Sequence, residues 1–395
     1  MKEYLSIILF FVFLTGCSQL SRDRFILNGE IENAGAEYVV LSYLRCPEGI
    51  YVHDTAVIAN GIFSVSDTLC EPALAKLQIG DTIISFYIEP SKVMTLNFSR
   101  TNFTDIILNG SQTEEENKIL RERTLQHTTL LDEAKIARRK IKEDMDIALV
   151  RDSSRYSWLS KEVNRINQEI DSLSYLIFET EQSFINDFPT SFISAHLLNH
   201  HISEGKLNLE KQKSVFNTFP GNIKDSYIGK SILEKVECQQ NTASGSIAPD
   251  FETADIHGNL LTLSSFRDSS YVLLDFWASW NENCQASAAL LNNLYDKYHH
   301  KDLEIISISN EEKEDEWKSA IERNGTGKWH HIINKEYLND FPDKKSIQYK
   351  YRKARTITPV YMLIDKEGKI IKKWEGYSAE IGEEIQAVLD TIFNR

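Results

Sequence analysis

The sequence predicts three regions of different fold class: a small all-β N-terminal domain, an α-helical middle region and a C-terminal α/β domain. Three observations carry that division. Between Phe25 and Ser111, short alternating segments are separated by turn residues, the pattern of an antiparallel β-domain over 25–111. From 112 to 238 the chain is mostly polar, with apolar residues at helical spacing. From 245 to 395, apolar strands alternate with helices and end in a hairpin and a helix, the order of an α/β sandwich. A chain of 395 residues with 42% hydrophobic content has enough apolar surface for several cores.

At the N-terminus, Lys2 precedes an apolar run from Leu5 to Leu14, followed by Thr15-Gly16-Cys17. The run is about half of the roughly 20 apolar residues that a bilayer crossing needs, so it reads as a secretion signal. Leu14-Thr15-Gly16-Cys17 resembles the lipobox of bacterial lipoproteins. That resemblance implies a signal peptide over 1–16, a lipid on Cys17 and a tether over 17–24. It further implies anchorage on the periplasmic side of the cell envelope, with the outer membrane expected, since several acyl chains hold where one is marginal.

In the β-domain the expected strands are Phe25 to Glu32, Tyr38 to Tyr43, Thr55 to Ile58, Gly61 to Val65, Thr82 to Ile88 and Val93 to Phe98. Asp54-Thr55-Ala56, Asn60-Gly61-Ile62-Phe63, Phe86-Tyr87-Ile88-Glu89-Pro90 and Asn109-Gly110-Ser111 resemble the β-domain of unassigned function that precedes thioredoxin-like modules in some bacterial lipoproteins. Cys46 and Cys70 both fall in this domain. They either pair, as an oxidising compartment allows, or serve as small apolar core residues.

In the middle region Leu159, Val163, Ile166, Ile170, Leu173 and Ile177 form one helical stripe, and Leu130, Ala134, Ala137, Ile141, Met145 and Ala148 a weaker one. With a turn at Arg151 to Ser157, they predict an antiparallel hairpin with arms roughly 35 Å long at 1.5 Å per residue. Two stripes can satisfy one another; the alternative use of the hairpin is as a homodimer contact. Phe188-Pro189 closes the second arm, shorter helices follow, and 239–246 suits a linker.

The C-terminal elements are expected as a strand at Tyr271 to Trp277, a helix at Cys284 to Tyr298, a strand at Leu303 to Ser309 and a helix at Glu314 to Asn324. A strand at Val360 to Asp365, a strand at Ile370 to Trp374 and a helix at Ile381 to Phe393 complete them. Ile247-Ala248-Pro249-Asp250-Phe251, Asp275-Phe276-Trp277-Ala278-Ser279-Trp280, Trp317 with Ala320-Ile321, Trp329 and Thr358-Pro359-Val360 together resemble TlpA/ResA-type thioredoxin-like disulfide reductases of the redoxin (AhpC/TSA) superfamily. The resemblance implies a thioredoxin-like fold and thiol–disulfide exchange.

It also identifies a departure. The family's nucleophilic cysteine sits where a helix begins, its pKa lowered by unpaired backbone N–H groups and the helix dipole. Asn281 occupies that position, and asparagine is a favoured helix N-cap without thiol chemistry. Glu282-Asn283 replaces the intervening pair, and Cys284 matches the resolving cysteine. The family role of Asp275 is to manage that thiol's proton. Thr358-Pro359 matches the loop whose proline is cis in the family and along which extended peptides pair. The candidate catalytic groups are therefore Cys284 and Asp275, with a binding groove of Trp280, Asn281, Glu282, Asn283, Thr358 and Pro359.

Several classes are excluded. A net charge of −14 argues against phosphate-backbone binding, so no nucleic-acid partner is expected. The chain holds no C-x-x-C pair, which disfavours zinc, and no metal or cofactor is expected. The pairs His200-His201, His299-His300 and His330-His331 do not converge on one metal and read as surface residues. A peroxiredoxin motif would need Pro and Thr where Trp277 and Asn281 stand, and no nucleophile elbow supports a serine hydrolase. The leading expectation is a non-turnover module that binds an extended peptide or envelope protein. The alternative is residual monothiol chemistry at Cys284 with an external thiol or with Cys238.

Overall fold

The computed structural model describes residues 23–33, 35, 38–46, 49–99, 102–311, 313–335, 346–351 and 359–394. The lipidation position, Cys17, and Thr358 lie outside the described residues. The chain divides into two compact units, 1–197 with 220–227, and 198–219 with 228–395.

The first unit opens with eight strands: β1 (Arg24–Glu32), β2 (Tyr38–Arg45), β3 (Ile50–Val57), β4 (Ile62–Thr68), β5 (Ala73–Ile79), β6 (Thr82–Ile88), β7 (Val93–Ser99) and β8 (Asn102–Asn109). They form two four-stranded sheets, β4-β1-β7-β8 and β3-β2-β5-β6. Alternate residues such as Phe25, Leu27, Val39, Leu41, Leu77, Phe86 and Leu96 share one core between them. The expectation of a purely antiparallel domain is corrected. β1 pairs with β7 in parallel, a join that needs a long crossover, and five intervening strands supply it. Strand β5, ALAKLQI, escaped the sequence reading because Ala, Lys and Gln carry little strand preference; its place between β2 and β6 makes it a strand. Asn60 and Gly61 both take positive φ, 53° and 80°, the two-residue turn that asparagine–glycine favours. Cys46 and Cys70 are joined by a disulfide, which settles the open choice between pairing and simple burial.

A helical hairpin follows. Helix α1 (Gln112–Arg151) begins at Ser111, whose Oγ accepts the Glu114 N–H at 3.0 Å. The buried Glu89 carboxylate at the end of β6 accepts the Thr113 N–H at 2.5 Å. These side chains satisfy orphan donors of the first turn. Helix α2 (Ser153–Asp187) starts almost immediately, because Asp152 ends one helix and caps the next: its N–H donates to Ala148 O at 2.9 Å and its Oδ1 accepts the Arg155 N–H at 3.0 Å. One residue therefore does what a seven-residue turn was expected to do. With 40 and 35 residues the arms reach about 60 and about 50 Å, longer than the expected length because α1 starts at Gln112 rather than near Leu130 and α2 begins at Ser153, inside the expected turn. The stripe Leu159, Val163, Ile166, Ile170, Leu173 is buried, and Ile166 and Ile170 pack on Ala134, Ala137 and Ile141. Leu130 is exposed, and Leu131 takes the inward position.

Helices α3 (Phe192–Ser203), α4 (Leu209–Thr218), α5 (Gly221–Lys224) and α6 (Tyr227–Asn241) complete the helical region, with Gln212 Nε2 donating to Gln239 Oε1 at 3.0 Å.

The rest of the second unit starts with a small hairpin, β9 (Glu252–Ala254) and β10 (Leu260–Thr262). Next come β11 (Tyr271–Trp277), α7 (Glu282–Tyr298), β12 (Leu303–Ser309), α8 (Glu314–Asn324) and β13 (His330–Ile333). The chain ends with α9 (Ile347–Lys350), β14 (Val360–Ile364), β15 (Ile370–Glu375) and α10 (Ala379–Phe393). The sheet order is β13-β12-β11-β14-β15; β11, β12 and β13 are mutually parallel, and β14 pairs antiparallel with both β11 and β15. Successive residues of β11 face opposite sides. Val272, Leu274 and Phe276 join a core with Ile347 and Tyr351, while Leu273 and Trp277 join clusters with Leu291 and Cys284 on the other side. That alternation positions the site.

Candidate functional site

The central strand β11 ends at Trp277 and the chain turns through Ala278-Ser279-Trp280 into α7. The turn is held from below: Ser279 N–H donates to Glu311 Oε1 at 2.5 Å, and Asn310 N–H to Trp277 O at 2.9 Å. Glu311 is 3% exposed, a buried carboxylate that sequence reasoning missed because no motif marks it. Trp280 at the bend is 61% exposed, and the preceding Ser279 lines an open groove of about 580 Å³ with Gln285, Asp315, Ser319 and Arg323, a lining that includes none of Trp280, Asn281, Glu282, Asn283 and Pro359. Glu282 and Asn283 are exposed in the first turn of α7.

Asn281 is the N-cap of α7. Its Oδ1 accepts the Asn283 N–H at 2.9 Å and the Cys284 N–H at 3.3 Å. These are the donors that would stabilise a thiolate at the helix start, and here an amide oxygen occupies them. Cys284, one turn in, is 3% exposed and packs against Trp277, Trp317, Ala320 and Ile321.

Under Cys284 lies Asp275, 3% exposed. Its Oδ2 accepts the Ser307 hydroxyl at 2.7 Å, and Ser307 Oγ accepts the Trp329 indole N–H at 3.0 Å. Burial pushes the Asp275 carboxyl up to about 7, opposed in part by the Ser307 hydrogen bond. The reading of the histidines as surface residues is corrected at two positions: His201 on α3 is fully buried, and His331 is 1% exposed. It stacks on Trp329 and donates from Nε2 to Thr326 O at 2.8 Å. Burial drives its pKa down to about 4, so the ring is neutral, with Nδ1 left as an acceptor. Adjacent histidines misled because His331 lies on a strand, where neighbours point to opposite sides: His330 is half-buried, His331 faces the core.

Pro359 is buried, and its carbonyl accepts the Gly376 N–H at 2.7 Å. The pairing of Phe276 with Val360 puts it at the same end of the sheet as Trp277 and the turn into α7. Cys238 does not join the site. Its thiol donates to Lys350 O at 3.3 Å, and the adjoining Tyr351 packs on Phe251 and Phe276. That is the Phe276 side of the sheet, whereas Cys284 lies on the Trp277 side. The sheet thus lies between the Lys350-Tyr351 segment that Cys238 contacts and the side that holds Cys284.

The five-stranded sheet with α7 springing from the end of its central strand defines a thioredoxin-like domain. Residues 244–373 match the AhpC/TSA family, and residues 25–117 match a domain of unknown function, DUF4369. The thiol-disulfide oxidoreductase ResA of Bacillus thuringiensis subsp. konkukian is 29% identical over 134 residues, 33% of this chain and 69% of the relative. ResA of Bacillus subtilis is 26% identical over 144 residues, 36% of this chain and 73% of the relative. Among solved structures, the thioredoxin domain of a thiol-disulfide oxidoreductase from Bacteroides vulgatus is 27% identical with a TM-score of 0.32, covering 37% of this chain and 97% of that one. A thiol-disulfide oxidoreductase from Bacteroides fragilis is 25% identical with a TM-score of 0.30, covering 36% and 99%. The AhpC/TSA match and the likeness to ResA, each over about a third of the chain, support a TlpA/ResA-type thioredoxin-like protein with an N-terminal β-domain.

Proposed function

We propose that this protein has a degenerate, non-turnover redox site and works as a binding module for an extended peptide or an envelope protein. One observation carries the reading: the nucleophile's position holds Asn281, whose side chain caps α7, while the surrounding scaffold is intact. Disulfide exchange needs an exposed thiolate to attack and a second thiol to resolve. The single sulfur near the bend, Cys284, is buried. The exposed Trp280 ring offers an apolar anchor, and the groove that begins at the preceding residue, Ser279, offers polar walls for a peptide. Insulin reduction assayed with the purified chain beside a two-cysteine relative tests it; comparable rates would refute it.

A second reading keeps chemistry, with Cys284 forming mixed disulfides with an external thiol. The perturbed Asp275 carboxyl beneath it favours this reading, since a proton acceptor under a thiol serves exchange. Mass spectrometry after oxidative challenge decides; an unmodified Cys284 removes it.

The N-terminal residues support a lipid-anchored location on the periplasmic face of the envelope, expected at the outer membrane. Lipid incorporation that persists in Cys17→Ala would contradict this. No described helix is long and apolar enough to cross a membrane. Self-association through the hairpin is supported by Leu125, Ile136 and Ile147, exposed on α1 at eleven-residue spacing and so on one face. An unchanged sedimentation mass after charge substitutions there would dismiss it.

A further inference from the structure

Beneath α7 is a cavity of about 10 Å³, lined among others by Asp275, Cys284, Ser307, Thr326 and His331. That volume is about what one water needs. Three buried polar atoms of this lining, Asp275 Oδ1, His331 Nδ1 and the Trp277 indole Nε1, have no protein partner; the first and second can accept, and the third can only donate. Leaving any of them unsatisfied costs about 1–3 kcal/mol, and native interiors seldom do so.

The chemistry of the remaining contacts fixes which way each hydrogen bond runs. The Trp329 indole N–H can only donate, and it donates to Ser307. The Ser307 hydroxyl hydrogen is therefore free to be given to Asp275 Oδ2. At the other end, the Thr326 carbonyl can only accept, which places the imidazole hydrogen on Nε2 and a lone pair on Nδ1. Two chains of hydrogen bonds thus reach the cavity, one ending on a carboxyl oxygen and the other on an imidazole acceptor.

We propose that Asp275 and His331 hold a single water between them, with His331 Nδ1 as the fixed acceptor that positions it. When Asp275 is protonated, its Oδ1–H donates to the water and the water donates to Nδ1. When Asp275 is ionised, the water turns and donates one hydrogen to each. The same molecule serves both states, and the proton released on ionisation goes to bulk solvent. His331 is in this sense a positioning residue for the Asp275 carboxyl. The other titratable groups facing Asp275 are Tyr361 on β14 and Cys284 on α7. The inference does not depend on whether Cys284 reacts.

The test uses the full chain in two measurements. A crystal structure that resolves ordered water is expected to show one molecule within hydrogen-bond distance of both atoms, and nitrogen-15 NMR to find His331 protonated on Nε2 alone. In His331→Phe, carbon-13 NMR of the Asp275 carboxyl is expected to show proton affinity rising roughly tenfold, because the carboxylate loses the hydrogen bond that solvated it. A dry cavity, an Nδ1-protonated ring, or an unchanged Asp275 titration in a folded variant would each overturn the proposal. If the variant fails to fold, the wild-type density and nitrogen shifts decide alone.

Discussion

The side chain of Asn281 accepts the backbone N–H of Cys284 at 3.3 Å. In a working dithiol site a sulfur would occupy this place and draw on the same donors to become a thiolate. Cap and nucleophile compete for one set of N–H groups, and this chain has taken the cap. Asn281→Ala should therefore destabilise the protein by about 1 kcal/mol, measured by chemical denaturation, with no redox phenotype.

Asn281→Cys replaces the cap with the missing sulfur. Insulin reduction is expected to appear, together with a stability loss close to that of the alanine variant. A variant that folds, keeps both thiols reducible and still reduces nothing would show that more than the sulfur has been lost, with Glu282-Asn283 between the cysteines the next suspects.

Asp275 and His331 predict opposing pH effects. The Asp275 carboxyl is raised from 3.8 to about 7, so the native state holds a proton that the unfolded chain has lost, and stability falls as pH rises through that window. His331 is lowered from 6.5 to about 4, so the unfolded chain binds the proton first, and stability falls as pH drops through that window. Over the shared window the two slopes oppose each other. Asp275→Asn should expose the histidine slope and gain on the order of a few kcal/mol at pH 8, since a buried carboxylate is no longer ionised. Denaturation midpoints of this variant and wild type across pH check it; parallel curves would refute it.

The Cys46–Cys70 disulfide closes a loop of sequence separation 24. Replacing both cysteines with alanine should cost about 3 kcal/mol, through the greater freedom of the unfolded chain. The free-thiol count of the denatured, unreduced protein provides the companion check.

Cys238 and Cys284 are both buried, and the central sheet lies between Cys284 and the Lys350-Tyr351 segment that Cys238 contacts. Mild oxidation of the native protein should yield no peptide linking them in a non-reducing digest. Such a crosslink forming without denaturant would mean that the two faces exchange on an accessible path.

Where side chains decide structure locally, the sequence was readable. The helix start at Asn281, the strand Tyr271–Trp277, the second arm ending before Phe188-Pro189 and the apolar stripe of α2 all follow from capping, alternation and helical period. Strand β5 was not readable, since ALAKLQI becomes a strand only through the neighbours that pair with it. The parallel join of β1 to β7 is likewise a contact between distant segments that leaves no mark on either.

By itself the amino-acid order determined the three regions of the chain and placed an asparagine at the start of α7 with a cysteine three residues on, because period and capping preference are properties of neighbouring residues. Tertiary structure alone decided that Cys46 pairs with Cys70, that Cys238 contacts a segment across the sheet from Cys284, and that His331 turns inward to share a cavity with Asp275. Each of those depends on which face of the folded sheet or domain a residue meets. That is fixed by packing between segments far apart in the chain, where no local pattern reaches.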